Sequence, residues 1–348
     1  SFSLGMLVLR STLSWVQGTA VLFGSSSRLL SRDVGRLNRF SRDSLRSRLH
    51  RQELKEIVKT ETQQPKHQDG FIGKDSIPVR PMTDILKALG FTVGVGFTAF
   101  TVASVSDYER LKKVHKEFLS ATSFLFNRPP IAKPEHRSPS HGELCALGLL
   151  VVNAAVTLLW RVRPLQPMMW RYFSNSFASK SLCSPMFLSV FSHSSVIHLA
   201  LNMYVLYTFA HVSIDKFFGL DQFLAFYATA GVFSSLASLL HKATYRLPIR
   251  ALGASGAILA LLTYTCCKIP DARLKIVFIP WFEFSAEAAV IGIVMFDLVG
   301  LLFRFKLFDH AAHLGGSFFG IAYALWGEEL LWKRYRHSVT QWWKNLSE

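Results

Sequence analysis

Gly253-Ala254-Ser255-Gly256-Ala257 opens an apolar run from Ala251 to Cys267, bounded by Arg250 and Lys268. A glycine-flanked serine at the head of a buried helix is either a packing contact between membrane helices or a nucleophile. The run holds about 17 residues, roughly 25 Å at 1.5 Å per residue, against a hydrocarbon core about 30 Å thick. One of its ends therefore sits below the membrane surface. The polar segment Tyr245-Arg246-Leu247-Pro248-Ile249-Arg250 gives water a route to Ser255 there. Two other stretches share this character. His310-Ala311-Ala312-His313-Leu314-Gly315-Gly316 opens a second apolar run, and His193-x4-His198-x3-Asn202 stands near the start of a third.

Composition sets these stretches in a membrane. The 348 residues are 50% hydrophobic, with mean hydropathy +0.26, yet carry a formal charge of +16. Grease and charge occupy different segments. Residues 1–51 hold Arg10, Arg28, Arg32, Arg36, Arg39, Arg42, Arg46, Arg48 and Arg51, opposed only by Asp33 and Asp43, with serines between. An Arg-rich, Ser-rich, acid-poor start reads as a mitochondrial transit peptide. The competing reading is a basic tail for nucleic acid or anionic lipid. Absence of lysine before Lys55 favours the transit peptide, with cleavage expected between Arg51 and Pro81. No nucleic-acid partner is expected. Cys145, Cys183, Cys266 and Cys267 form no CxxC pair, so neither a disulfide framework nor a metal site is expected, and no cofactor.

Residues 52–84 read as a proline-bearing linker and processing region. The apolar runs follow. The first, Ile85–Ser106, reads as a separate N-terminal span. Residues 107–141 read as a loop with a short amphipathic helix over Tyr108–Leu125. Six runs then fill 142–326: Gly142–Trp160, Pro185–Phe209, Gln222–Leu240, Ala251–Cys267, Phe284–Phe303 and Phe308–Trp326. Residues 327–348 form a charged tail. The expectation is an all-α polytopic membrane protein of 1+6 transmembrane helices.

The three polar stretches open the second, fourth and sixth helices of the six. Alternate spans cross in the same direction, so their starts lie on one side. Ser255 and His313 stand at similar depth, and His198 and Asn202 share a face at i,i+4. Polar groups inside spans face the bundle interior. Gly253, Gly256, Gly316 and Gly320 permit close backbone approach. A histidine then accepts the serine proton at neutral pH. Asn202, His198 and the Ser255 amide suit an oxyanion. Other readings stand beside these. His193 or His198 alone is a histidine bonding a neighbouring carbonyl. His310 borders a loop and binds the interface. Asp297, mid-span, could orient His313 as a third member, but the preferred arrangement is a dyad without it, with Asp297 paired to another polar group. On the Phe284–Phe303 run, Gly292 and Gly300 are expected to loosen packing and permit lateral opening.

The three motifs together resemble the rhomboid family of intramembrane serine proteases. The likeness covers the six-helix region, and the extra span and transit-like start resemble its mitochondrial members. The resemblance implies Ser255 as nucleophile, His313 as base, and His198, Asn202 and the Ser255 amide as oxyanion hole. Trp170-Arg171 resembles a tryptophan–arginine pair in the family's first loop. One departure is Leu259, where many bacterial members carry an aromatic that stacks on the histidine. The implied activity is hydrolysis of peptide bonds in or near the spans of single-span proteins of the mitochondrial inner membrane, with the N-terminus in the matrix. Loops on both sides carry Lys and Arg, so charge counting does not choose an orientation.

Competing classes are a non-catalytic rhomboid-like protein that binds spans, and a transporter. Intact Ser255 and His313 argue against the first, and the lack of visible repeats against the second. No HExxH or GxGD stands in the chain, which argues against zinc and aspartyl intramembrane proteases.

Overall fold

The computed structural model describes residues 2–4, 77–125, 139–276, 279–306 and 308–347. The transit-peptide and processing readings fall outside the described residues, apart from Phe2–Leu4 and the segment from Ile77 onward.

Helix α1 runs Asp84–Leu125, 42 residues without a break. Its entrance is fixed by charge. Asp84 in the first turn meets Arg80 at 3.0 Å and Lys87 at 2.8 Å, where an acid also suits the helix dipole. The sequence suggests a span ending at Ser106 and then a loop with a short helix. Instead α1 continues straight through 107–125. No glycine or proline interrupts this stretch, and Asp107–Arg110 and Lys113–Glu117 pair along the helix surface.

Helix α2 (His141–Leu159) starts with a capping box between Ser140 and Glu143. A linking segment follows, with short helices α3 (Gln166–Tyr172) and α4 (Cys183–Leu188). The expected third run, Pro185–Phe209, is two pieces. Its apolar head belongs to α4 and a 3-10 turn, and α5 (Val196–Ser213) begins only at Ser195, whose hydroxyl accepts from the His198 amide at 3.1 Å. The serines at 192, 194 and 195 supply the break that hydropathy alone conceals. A π-turn carries α5 on to Phe218. Gly219, at φ 72°, ends it where a side chain would be strained.

Helices α6 (Leu220–Thr244), α7 (Ser255–Lys268), α8 (Ala286–Leu302) and α9 (His310–Ala322) complete the bundle. A π-helical stretch, Tyr323–Arg334, joins α9 to the tail helix α10 (Tyr335–Ser347). Between α7 and α8 stands a hairpin, β2 (Arg273–Ile276) antiparallel to β3 (Ile279–Ser285), with β1 (Phe2–Leu4) parallel to β2.

Among the described residues, four helical segments are long and apolar enough to cross a membrane: Asp84–Ser120, His141–Leu159, Val196–Phe218 and Leu220–Thr244. Helices α7, α8 and α9 have 14, 17 and 13 residues. The most apolar window of α6 is 67% buried and that of α2 only 22%, so α6 is a central post and α2 a peripheral one. Helices α7 and α9 lie against α6 and against each other. A methyl at Gly316 would overlap the Gly256 carbonyl, and one at Gly256 would overlap Ser234 of α6. Backbones at such range need glycine on both sides.

The lead-in to α1 joins the same end of the bundle as Ser255. Ile77 N–H donates to the Ala178 carbonyl at 2.9 Å, and Arg80 N–H to the Phe177 carbonyl at 3.1 Å. Arg80 also donates to the carbonyls of Ser179 and Lys180. Asn175 in that segment exchanges two backbone hydrogen bonds with Ala251, four residues before Ser255.

Candidate active site

Ser255 is the first residue of α7, and Asp309 caps α9 four residues before its His313. That cap is itself anchored. The Asp309 carboxylate accepts from the Ala312 amide at 3.1 Å, from Ser238 Oγ at 2.6 Å and from Lys242 Nζ at 2.8 Å. Lys242 is 4% exposed, so a buried ion pair from α6 fixes where α9 begins.

With both starts fixed, Ser255 Oγ and His313 Nε2 lie 2.8 Å apart. On the far side of the ring, His313 Nδ1 lies 3.1 Å from Asp297 Oδ1. A carboxylate oxygen accepts, so Nδ1 carries the proton and Nε2 is left bare toward the serine hydroxyl. Asp297 is 1% exposed. The carboxylate reaches His313 from α8, the contact that the preferred dyad left out, and it also pairs with another polar group, as the sequence suggests. Its other hydrogen bond, 2.7 Å from His310 Nδ1, corrects the reading of His310 as an interface residue. His310 is buried, and the ring of Phe308 lies 5.8 Å from that of His313.

Gly253, two residues before Ser255, has φ 135°, a conformation that side chains avoid, and His198 packs against it. A Cβ there would lie 3.1 Å from His198 Nε2 and 3.9 Å from Asn202 Nδ2. His198 and Asn202 of α5 thus pack against the loop that leads into Ser255. His198 Nδ1 lies 3.3 Å from Ser194 Oγ; with that hydroxyl donating, the ring N–H is Nε2, facing the loop. Asn202 Nδ2 is buried without a partner among the described residues. The Ser255 amide, at the first position of α7, has no intrahelical acceptor. Three candidate donors, His198 Nε2, Asn202 Nδ2 and the Ser255 amide, therefore lie around the loop that leads into Ser255. His193 precedes α5 and is buried, its ring 4.9 Å from that of His198.

Trp170 and Arg171 do not act as a pair. Arg171 reaches Ser181 at 3.3 Å, whereas Trp170 stacks under the guanidinium of Arg250, which also donates to the Trp170 carbonyl at 2.7 Å. Arg250, five residues before Ser255, is the residue that sequence reading missed. A buried arginine at the edge of an apolar run was its signal. Asp297, His310 and His313 are the His/Asp cluster whose ligand atoms lie close enough for a metal ion among the described residues. Shared protons between Asp297 Oδ1 and the two Nδ1 atoms account for the spacing.

A serine bonded to a histidine that is bonded to a carboxylate is competent for nucleophilic attack on an acyl carbon, and the three donors suit the oxygen that becomes charged. Comparison with known proteins agrees with the motifs. Residues 168–328 match the Rhomboid domain. The chain is 41% identical over 272 residues to the human presenilin-associated rhomboid-like protein, mitochondrial, covering 75% of this chain and 72% of that one. The rat protein of the same name is 42% identical over the same length and shares. Rhomboid protein 1, mitochondrial, of Saccharomyces cerevisiae is 31% identical over 206 residues, 58% of this chain and 57% of that one. On its motifs, its helical bundle and these identities, the chain belongs to the rhomboid family.

Proposed function

We propose that this chain is an intramembrane serine endopeptidase that hydrolyses peptide bonds in or near the spans of single-span proteins of the mitochondrial inner membrane. The observation that carries the reading is the 2.8 Å contact between Ser255 Oγ and His313 Nε2, at the sunken start of a 14-residue helix.

In the proposed reaction Ser255 Oγ attacks the substrate carbonyl carbon while His313 Nε2 takes the hydroxyl proton. Asp297 holds the ring by its Nδ1–H and stabilises the imidazolium. The carbonyl oxygen becomes an oxyanion, facing His198 Nε2–H, the Asn202 amide and the Ser255 N–H. Collapse breaks the C–N bond, and His313 returns the proton to the leaving amine. Water, deprotonated by the same histidine, then releases the acyl group from Ser255. The mitochondrial names of these relatives and the apolar helices support a mitochondrial membrane; the inner membrane and seven crossings in a 1+6 arrangement belong to the proposal. With seven alternating crossings, the segment before α1 and the active site open to the same face, a reading supported by the Arg80 contacts with 177–180.

The test is labelling of the full-length chain in a bilayer by a fluorophosphonate, alongside cleavage of a model span. Labelling that maps to Ser255 and disappears in Ser255→Ala supports the protease. A folded wild-type chain that takes no label and cuts no span would point to the alternative, a rhomboid-like protein that binds spans without cutting them.

A further inference from the structure

Two imidazoles converge on one oxygen of Asp297, yet only one of them touches Ser255. His310 Nδ1 lies 2.7 Å from Asp297 Oδ1, closer than His313 Nδ1 at 3.1 Å. His310 is 3% exposed and caged by apolar rings: Phe296 at 5.7 Å, Phe305 at 6.2 Å and Phe308 at 5.9 Å between centroids. The fourth wall is Gly300 of α8, where a methyl would overlap the imidazole. So Gly300 does not loosen α8, as the sequence suggested. It seats His310.

A carboxylate inside a span is costly to bury and needs its donors. A single donor, His313, would leave the Asp297 carboxyl free to turn about its last torsion and lose the contact whenever His313 moves. A second donor from a ring that cannot move fixes the oxygen. We infer that His310 is a positioning residue, a latch that holds Asp297 Oδ1 where His313 Nδ1–H needs it. Asp297 and Gly300 belong to α8, whereas His310 and His313 belong to α9. The base is therefore oriented only while α8 is seated on α9. If α8 swings aside to admit a substrate, both hydrogen bonds to Asp297 break together, and the base regains its acceptor only when α8 closes again. The inference rests on the protease reading given above.

The test compares His310→Asn with His310→Leu in the full-length chain in proteoliposomes. The two side chains have the same shape, but only asparagine offers an N–H near the Nδ1 position. Thermal stability shows that both are folded. The readouts are the fluorophosphonate labelling rate at Ser255, and kcat and KM on a model span. The expected result is that His310→Leu lowers labelling and kcat about tenfold with KM unchanged, a fraction of the roughly 10²–10⁴-fold typical of general-base catalysis. His310→Asn should recover most of that loss. In an Asp297→Asn background the two variants should label at equal rates, because the latch then has nothing to hold. Equal labelling of His310→Leu and wild type overturns the latch and leaves the protease standing. Absence of label on the wild-type chain is the failure of the protease reading instead.

Discussion

The two ends of the bundle are built on different principles. At the end that holds Ser255, small residues bring backbones together and polar groups are buried: Gly256 against Gly316, Asn202, Lys242, Asp297 and His310. At the opposite end aromatic rings do the packing. Phe218, Phe226, Tyr264 and Tyr323 stack within 6.1 Å of one another, and the rim carries ion pairs, Asp107 with Arg110 and Arg336, and Lys268 with Glu328. Aromatic packing is stable on its own account, since each ring buries a large apolar area. A layer of buried polar groups is not, unless each is bonded. The difference teaches where stability and chemistry separate: rings hold the helices, and glycines let hydroxyl and imidazole meet.

The sharpest break in this comparison is chemical. Ser255→Ala and His313→Ala should each abolish cleavage without unfolding the protein, since neither residue packs the aromatic end. Their effects should not add, because nucleophile and base act as one unit. Cleavage of a model span by the two single variants and the double variant decides it. A double variant far worse than either single one would separate their roles. Next in size is Asn202→Ala, expected to lower kcat about 10²-fold, the usual loss for one oxyanion donor. Single-turnover cleavage measures it, and an unchanged rate would remove Asn202 from the oxyanion site.

How much of this was legible in the sequence follows from parity and spacing. Ser255 and His313 could be brought together because alternate runs start on one side. The same rule, applied to run ends, also reaches Asp297: the Phe284–Phe303 run crosses in the opposite direction, and Asp297 lies six residues from its end. Comparing starts alone left Asp297 as an option and gave it no place beside His313. His310 was not legible, because its burial depends on a cage of rings from α8 and the link that follows. The length of α1 was hidden since hydropathy falls at Asp107 while charge pairs at helical spacing keep the helix going. The break before α5 was hidden for the opposite reason, as apolar residues 185–191 mask a turn made by serines. The contact of Arg250 over the Trp170 ring was missed because the neighbouring Arg171 drew attention to a motif local in sequence.

A gentler break tests the glycine layer. In Gly316→Ala the added methyl meets the Gly256 carbonyl, which cannot yield without moving α9. Overpacking of this kind typically costs about 1–3 kcal/mol. The shift also draws His313 away from Ser255, so labelling should slow beyond what unfolding explains. A denaturant midpoint and a labelling rate measured on the same sample separate the two effects. Unchanged values for both would mean that the two backbones are not in contact.

The smallest effect belongs to the far end and completes the contrast. Tyr264 is buried with its ring 4.2 Å from Phe218, and its hydroxyl donates to Glu328 at 3.1 Å. Tyr264→Phe keeps the ring and removes only that hydrogen bond. Glu328 retains Lys268 at 2.8 Å, so it is not stranded. The loss should be about 1 kcal/mol of stability, the net worth of one such bond. Since Tyr264 stands nine residues along α7 from Ser255, nearly 14 Å at 1.5 Å per residue, the labelling rate per folded molecule should not change. The two measurements must diverge, with stability falling and Ser255 reactivity constant. A slower labelling rate in this variant would mean that the aromatic end sets the geometry of the serine through α7, and the division of labour between the two ends would not hold.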